Sequence, residues 1–419
     1  MSAMFPRWTS GVRLGAAVAL LAIMGGPFSM AVANDDMPFL ERSQTDVVNA
    51  VRVTVAVPGA DESKAQFGVD LYRKGIQAVW IEIENSGDQP VWFLPASVDP
   101  DYLTPYDVAA QFGRSGAKRN LQEQLLESTM GLYVTSQSRR SGFVFTKVDE
   151  GTKPLVVDVL DSDQRLTSFT FFVAVPGLNV DHYNVDFENL HAAEELEHFD
   201  LDGLREALEQ LPCCVSNKTG KRYGDPLNLV VIGQPRDVYE AFIRAGWDET
   251  ETIYAGSLGK TFKSFALGTK YRYSPVSALY LFGRPQDVAL QKSRETIHER
   301  NHLRLWMTPM RVDGIPVWTG QISRDIGVRF TKKTITTHKI DPDVDEARDY
   351  LFQDLWYAQG LARYGYVAGV GAAERDEPRG NLTGDPYFTD GLRAVLWISP
   401  DLVDMEAVEF LHWEVLPED

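Results

Sequence analysis

Between residues 44 and 178 apolar side chains recur at every second position, and that period constrains the chain more than anything else in its sequence. Val51, Val53, Val55 and Val57 fall on one side, with Arg52 and Thr54 on the other. Only an extended strand turns such spacing into one buried face. Ile76 to Glu84 alternates in the same way, Asn85-Ser86-Gly87-Asp88 reads as a turn, and Val91 to Leu94 as the returning strand. Gly142 to Val148, Leu155 to Leu160 and Phe169 to Val175 complete the series before Pro176-Gly177. Short strands divided by turn residues predict an antiparallel β-sandwich over residues 40–185, interrupted by a helix at Asn120 to Met130. No catalytic constellation is visible within it, so it reads as a binding or spacer module.

The first 33 residues have the layout of a secretory leader. Arg7 and Arg13 make a positive start, Leu14 to Met24 is an uncharged apolar run, and Ala31-Val32-Ala33 supplies the small-x-small cleavage site. The run is short for a membrane span, although retention as an N-terminal anchor is the alternative. Cleavage after Ala33 predicts a periplasmic or secreted protein with no transmembrane segment in the mature chain. The chain of 419 residues carries a net charge of −18. That acidity argues against nucleic acid as a partner. The charge is uneven: residues 34–224 hold 17 basic and 30 acidic side chains, whereas residues 225–393 hold 22 of each. A domain boundary near residue 224 follows, with an acidic helical linker over 186–223, an α+β domain over 224–400 and an acidic tail over 401–419. A small anionic ligand or an envelope protein is the expected partner.

In the linker, Leu204 to Leu211 reads as a helix ending at Pro212, followed by Cys213-Cys214. In an oxidising compartment this pair can close a vicinal disulfide; two buried thiols are the alternative. Beyond the linker, Gly233-Gln234-Pro235-Arg236-Asp237-Val238 is echoed 50 residues later by Gly283-Arg284-Pro285-Gln286-Asp287-Val288. Each follows an apolar strand. Glycine suits a sharp strand end, proline the first helical turn and aspartate the positive helix end, so both copies are expected to be strand-to-helix units. Gly246 is expected to end the first helix. His302 to Val312 and Ile315 to Ile322, joined by Asp313-Gly314, predict a β-hairpin. Gly327 to Thr331, Thr334 to His338, Tyr366 to Gly371 and Leu392 to Ile398 read as further strands. A helix is expected to open at Asp341-Pro342, with Asp341 as its cap and Val344, Ala347, Leu351 and Leu355 along one face.

His298-Glu299-Arg300-Asn301-His302 matches a zinc-protease motif in letters. Yet His302, Arg304 and Trp306 alternate with Leu303, Leu305 and Met307 as a strand does, and strand residues four apart lie ~13 Å from each other, too far for one ion. A denser cluster lies downstream. His338, Asp325, Asp341 and Arg324 are candidate catalytic residues for acid–base work on a phosphate ester. His302, His338 and Asp345 are candidate metal ligands. Arg284, Arg304 and Arg348 are candidate anion-binding residues. Asp341, Asp343 and Asp345 have the spacing of a calcium loop, but Glu346 occupies the position that needs glycine. No motif identifies a cofactor.

Several stretches together resemble one family. They are Gly224-Asp225-Pro226-Leu227-Asn228-Leu229, Tyr273-Ser274-Pro275-Val276-Ser277, Glu299-Arg300-Asn301-His302-Leu303-Arg304, Ser323-Arg324-Asp325-Ile326-Gly327 and Thr337-His338-Lys339-Ile340-Asp341-Pro342-Asp343. Over residues 224–371 the chain is similar to the LssY C-terminal domain family. The resemblance implies a domain often attached to membrane proteins, including DedA-like and lipid-phosphatase-like proteins, and implies no settled activity. The expected fold class is therefore α+β: an N-terminal antiparallel β-sandwich followed by an α+β LssY-like domain.

Overall fold

The computed structural model describes residues 38–112, 116–177, 180, 185–250, 278–293, 300–329 and 337–414. Residues 1–33, expected to be a leader, and His298 and Glu299 lie outside them. The first half contains β1 (Gln44–Val48), β2 (Val51–Ala56), β3 (Ile76–Asn85), β4 (Val91–Leu94), β5 (Tyr133–Val134), β6 (Ser138–Lys147), β7 (Gly151–Asp161) and β8 (Leu166–Val175). They form two antiparallel sheets, β1-β2-β3-β6 and β5-β4-β7-β8. Val53, Val55, Val79, Ile81 and Ile83 of one sheet pack on Val91, Phe93, Val157, Phe169 and Phe171 of the other. The period-two pattern thus closes into the expected sandwich. Each such side chain contributes about 1.5–3 kcal/mol by leaving water.

The outer face of the first sheet is also covered. Helices α1 (Ala60–Phe67), α2 (Pro105–Ala110) and α3 (Gly116–Ser128) lie in the first half. From them Phe67, Val108, Leu121 and Leu125 pack on Ala78, Phe143 and Phe145. This is why Ile76 to Val79 is buried on both faces and why α3 interrupts the strand series.

The second half contains β9 (Glu197–Phe199), α4 (Leu201–Glu209), β10 (Cys214–Ser216), β11 (Tyr223–Pro226), β12 (Leu229–Ile232), α5 (Pro235–Arg244), β13 (Asp248–Glu249), β14 (Tyr280–Leu281), β15 (Arg284–Pro285) and β16 (Val288–Ser293). They are followed by β17 (Arg300–Val312), β18 (Ile315–Arg329), β19 (Thr337–Ile340), α6 (Val344–Tyr357), β20 (Leu361–Ala368), β21 (Arg379–Gly380), β22 (Pro386–Tyr387), β23 (Leu392–Ile398) and β24 (Glu409–Leu411). A large mixed sheet runs β13-β16-β17-β18-β12-β23-β20-β24, with β19 beside β18 and β9 beside β17. Its longest pairing is the β17–β18 hairpin, where Asp313 and Gly314 both take positive φ, as an Asp-Gly turn requires.

Helices α5 and α6 cover one face. Val238, Phe242, Ala347, Leu351 and Leu355 meet Leu229, Val231, Leu303, Leu305, Trp318 and Leu396 there. On the opposite face α4 sets Leu204 and Leu208 against Val230, Ile232, Val317, Val367 and Val395. The acidic stretch between the halves is thereby built into this sheet: β9 pairs in parallel with β17, and β24 from the C-terminal stretch pairs in parallel with β20. A small sheet, β11-β10-β14-β15, packs Val215, Leu279 and Leu281 around Trp306.

Three local expectations are corrected. The second copy of the Gly-x-Pro-x-Asp-Val echo is not a strand-to-helix unit. Pro235 does open α5, whereas Pro285 lies in β15, because Phe282 and Gly283 both take positive φ and turn the chain back on β14. Asp287 then accepts from Arg284 and from the Met307 amide instead of capping a helix. The cap of α6 is Asp343, which accepts from the Glu346 amide at 3.4 Å. Asp341 instead accepts from the Asp343 amide at 3.1 Å, which leaves Pro342 outside the helix. Finally, β18 continues without a break to Arg329, where separate strands were expected. Gly246, with φ +79, ends α5 as expected. Among the described residues no helix is long and apolar enough to cross a membrane.

Candidate functional site

The alternation of β17 sends Leu303, Leu305 and Met307 into the helix-covered core. By the same pleat Arg300, His302, Arg304 and Trp306 face the other way. Opposite them β18 presents Thr319, Gln321, Ser323 and Asp325, and β16 presents Gln291. All nine are buried. A face of the sheet is thus polar yet shielded from water, which is costly unless its groups meet partners.

Most of them do. His302 Nε2 lies 2.7 Å from Asp325 Oδ2. The two residues are diagonal neighbours, since His302 pairs with Ser323 in register. Arg304 Nη1 donates to Gln321 Oε1 at 2.9 Å, and Arg300 Nη1 to Gln291 Oε1 at 2.9 Å. Burial pushes the His302 pKa down, against the pull of Asp325, so the imidazole is held neutral. Burial also lowers Arg300 and Arg304, opposed by Asp325 and, for Arg304, by Asp225. A guanidinium remains charged through such a shift. Three buried donors on this face have no hydrogen-bond partner among the described residues: Arg300 Nε, Trp306 Nε1 and Gln321 Nε2.

The candidates read from the sequence fall into separate places. His302, Asp325 and Arg304 converge on the polar face. The backbone of His338 sits in β19 opposite Val328, and its side chain lies outside what the structure describes. Arg324, the neighbour of Asp325 in sequence, points elsewhere; it donates to Asn301 Oδ1 at 3.3 Å and lies over the Tyr350 ring. Asp341 serves the turn before α6. Arg284 forks onto Asp287 and donates to the Met307 carbonyl, a tie between β15 and β17.

Asp345 and Arg348 belong to a second cluster, on the helix side of the sheet. Arg348, 1% exposed, forks onto Asp390 at 2.7 and 3.0 Å and onto Asp349 at 2.8 and 3.2 Å, with Asp345 at 3.3 Å. Burial opposes its charge, but these carboxylates outweigh that and raise its pKa. Burial pushes Asp345 up to about 6, although Arg348, the Asp390 amide and the Thr389 hydroxyl pull it down. This cluster fastens α6 to the start of β23. Among the described residues no group of three His, Cys, Asp or Glu side chains is arranged to hold a metal ion.

A further buried cation, Arg393, holds the carbonyls of Leu208, Leu211, Pro212, Leu227 and Gly369. Burial lowers its pKa to about 10. It anchors the C-terminal end of α4, where backbone carbonyls favour a cation. Directly after Pro212, Cys213 and Cys214 are joined as a vicinal disulfide.

Sequence reasoning found His302, Arg304 and Asp325 and set Trp306 on the same strand face as His302 and Arg304, but missed Arg300, Gln291 and Gln321 as members of the polar face. The available signal was the alternation itself: polar residues at 300, 302 and 304 on a strand that carries Leu303, Leu305 and Met307 on its other side.

The family model described as LssY C-terminus matches residues 206–392. This agrees with the resemblance seen over 224–371 and extends it back into α4. The matched stretch contains the polar face, the Arg348 cluster and the disulfide. No curated protein matches the chain.

Proposed function

We propose, starting from an LssY C-terminus match that takes in the whole polar face, that the protein works by binding in the cell envelope. The second domain holds a small anionic ligand, and the sandwich acts as a spacer or docking module. The observation that carries this reading is the pair of guanidiniums, Arg300 and Arg304, buried to 3% and 8% exposure on either side of His302. Desolvating two arginines is expensive, and a site for an anion recovers that cost when it fills. Export to the periplasm or beyond is supported by the charged, apolar and small-residue zones of residues 1–33 and by the Cys213–Cys214 disulfide, which suits an oxidising compartment.

The test is calorimetric titration of the mature protein with inorganic phosphate, sulfate and acetate. At least one anion should bind, and Arg304→Met should abolish that binding while the protein stays folded. If no anion binds, or if Arg304→Met binds as well as the parent, the reading is wrong.

A second reading, hydrolysis of a phosphate ester, is favoured by one observation: the His302–Asp325 contact has the geometry of an oriented general base. Turnover of an aryl phosphate that disappears in His302→Gln would establish it. No His302-dependent turnover, with or without added divalent metal, leaves binding as the function.

A further inference from the structure

Two of the three orphaned donors of the polar face, Gln321 Nε2 and Trp306 Nε1, belong to neighbouring residues of the ladder. Gln321 lies directly across the β17–β18 ladder from Arg304, and Trp306 is the next residue of β17 on that face. Residues placed diagonally across an antiparallel pair are ~7–8 Å apart, within reach of long and aromatic side chains. The orientation of the Gln321 amide is not arbitrary. Arg304 can only donate, so it fixes Oε1 toward the guanidinium and turns Nε2 away as a donor. Gln321 and Trp306 are both 0% exposed, and neither Gln321 Nε2 nor Trp306 Nε1 meets an acceptor among the described residues. Natural interiors seldom keep such donors unmatched, since each costs free energy unless something accepts from it.

We infer that Arg304, Trp306 and Gln321 form a receptor for one tetrahedral oxyanion, the phosphate or sulfate group of the ligand. This rests on the anion-binding reading given above and names the ligand's chemical class and the residues that select it. The three donors match the three terminal oxygens of a phosphate or sulfate ester, and a carboxylate has only two. The arginine charge alone does not select the ligand, because Asp225 and Asp325 already act on Arg304. The two neutral N–H groups must do so. Trp306 is held rigid for the task by Val215, Leu227, Leu279 and Leu281 packed around its ring. A donor fixed before the ligand arrives loses little on binding.

The experiment uses the full mature chain, labelled with nitrogen-15 and titrated with inorganic phosphate, methyl phosphate, sulfate and acetate. One indole N–H resonance, absent in Trp306→Phe, should move downfield with phosphate and sulfate. Its contacts with the Val215 and Leu281 methyls identify it in the parent protein without any variant. Trp306→Phe and Gln321→Met should each weaken phosphate about tenfold, and acetate should bind at least tenfold more weakly than phosphate. Methyl phosphate binding as well as phosphate points to an ester as the natural ligand, and phosphate alone to the free ion. If phosphate binds but the indole does not move and both variants bind normally, the receptor assignment is wrong and anion binding elsewhere on the face survives. If no anion binds the parent protein, both fall together.

Discussion

The sandwich and the large mixed sheet solve the same burial problem with different materials. Between the sandwich sheets the core is mainly apolar, from Val53 to Val175, with Asn85 and Lys153 buried in the same strands. The buried polar side chains of that half serve mainly the backbone: Asn85 donates to the Gln89 carbonyl, Gln77 to the Asp149 carbonyl, and Thr146 to the Gln77 carbonyl. In the second domain the sheet face turned away from α5 and α6 carries buried polar side chains that bond one another: His302 with Asp325, Arg304 with Gln321, Arg300 with Gln291. Backbone-directed polar groups finish a fold. Side-chain pairs held in a shielded face set up chemistry, because they keep charge and donors where an apolar core would be more economical. The difference sets the side-chain-paired polar face within the stretch that the LssY C-terminus model matches.

That contrast can be broken most forcefully by deleting volume from one half and charge from the other. Phe169, 0% exposed, fills the sandwich interior, and Phe169→Ala should cost about 3–5 kcal/mol in urea unfolding of the mature protein. Anion binding should be unchanged while the protein is folded. Loss of binding at full folding would show that the sandwich shapes the polar face after all.

Asp325→Ala should cost about 3 kcal/mol, because it strips the counter-charge from buried Arg300 and Arg304. Phosphate should partly restore the stability, since an anion supplies what the carboxylate supplied. A variant as stable as the parent, with no added response to phosphate, would mean that the face is not electrostatically poised.

Acidity separates the two polar clusters of the second domain. Asp345 has its folded pKa raised from 3.8 to about 6, so the folded state holds the proton more tightly than the unfolded chain. Its contribution is therefore full below about pH 4 and is lost as pH rises through about 6, by at most about 3 kcal/mol. His302 acts with the opposite sign. Burial depresses its pKa below 6.5, so the unfolded chain takes the proton first and stability is lost as pH falls below that value. Because the two effects oppose each other between about pH 4 and 6, unfolding curves from pH 4 to 8 should show Asp345→Asn losing stability more steeply toward acid than the parent, with no difference in slope above about pH 6. If Asp345→Asn leaves the profile as it was, Asp345 titrates normally and its cluster is better solvated than its burial indicates.

The sequence made these halves legible to different degrees. The sandwich could be read because one period, two, governs whole strands, and burial on one face is all that it needs. The β17–β18 hairpin was equally plain from Asp313-Gly314. The polar face was half legible. His302 and Arg304 announce themselves as unusual strand residues, but Gln321 becomes informative only when the ladder brings it to Arg304. The repeated Gly-x-Pro-x-Asp-Val shows the same limit from the other side. Six near-identical positions open a helix at Pro235 and a strand at Pro285, because a turn at Phe282-Gly283 and a bond from Met307 to Asp287 outweigh the local preference. The vicinal pair of cysteines left two outcomes open, and the structure contains the disulfide.

The smallest predicted effect concerns where the helix side of the sheet begins. Asp343 accepts from the Glu346 amide and has extended backbone angles, which is what an N-cap needs, while Asp341 closes only the turn before it. Asp343→Ala should therefore cost about 1 kcal/mol, and Asp341→Ala distinctly less. The loss should come from α6 alone: amide hydrogen exchange should quicken over Val344 to Ala347 and stay unchanged across β17. Helix α6 carries Arg348 to Asp390, whereas the polar face lies across the sheet from it, so neither variant should alter anion affinity. A larger loss from Asp341→Ala would return the cap to the position that the Asp-Pro pair first suggested. Altered affinity in either variant would mean that the two clusters communicate through the sheet, and the separation drawn between its faces would have to be given up.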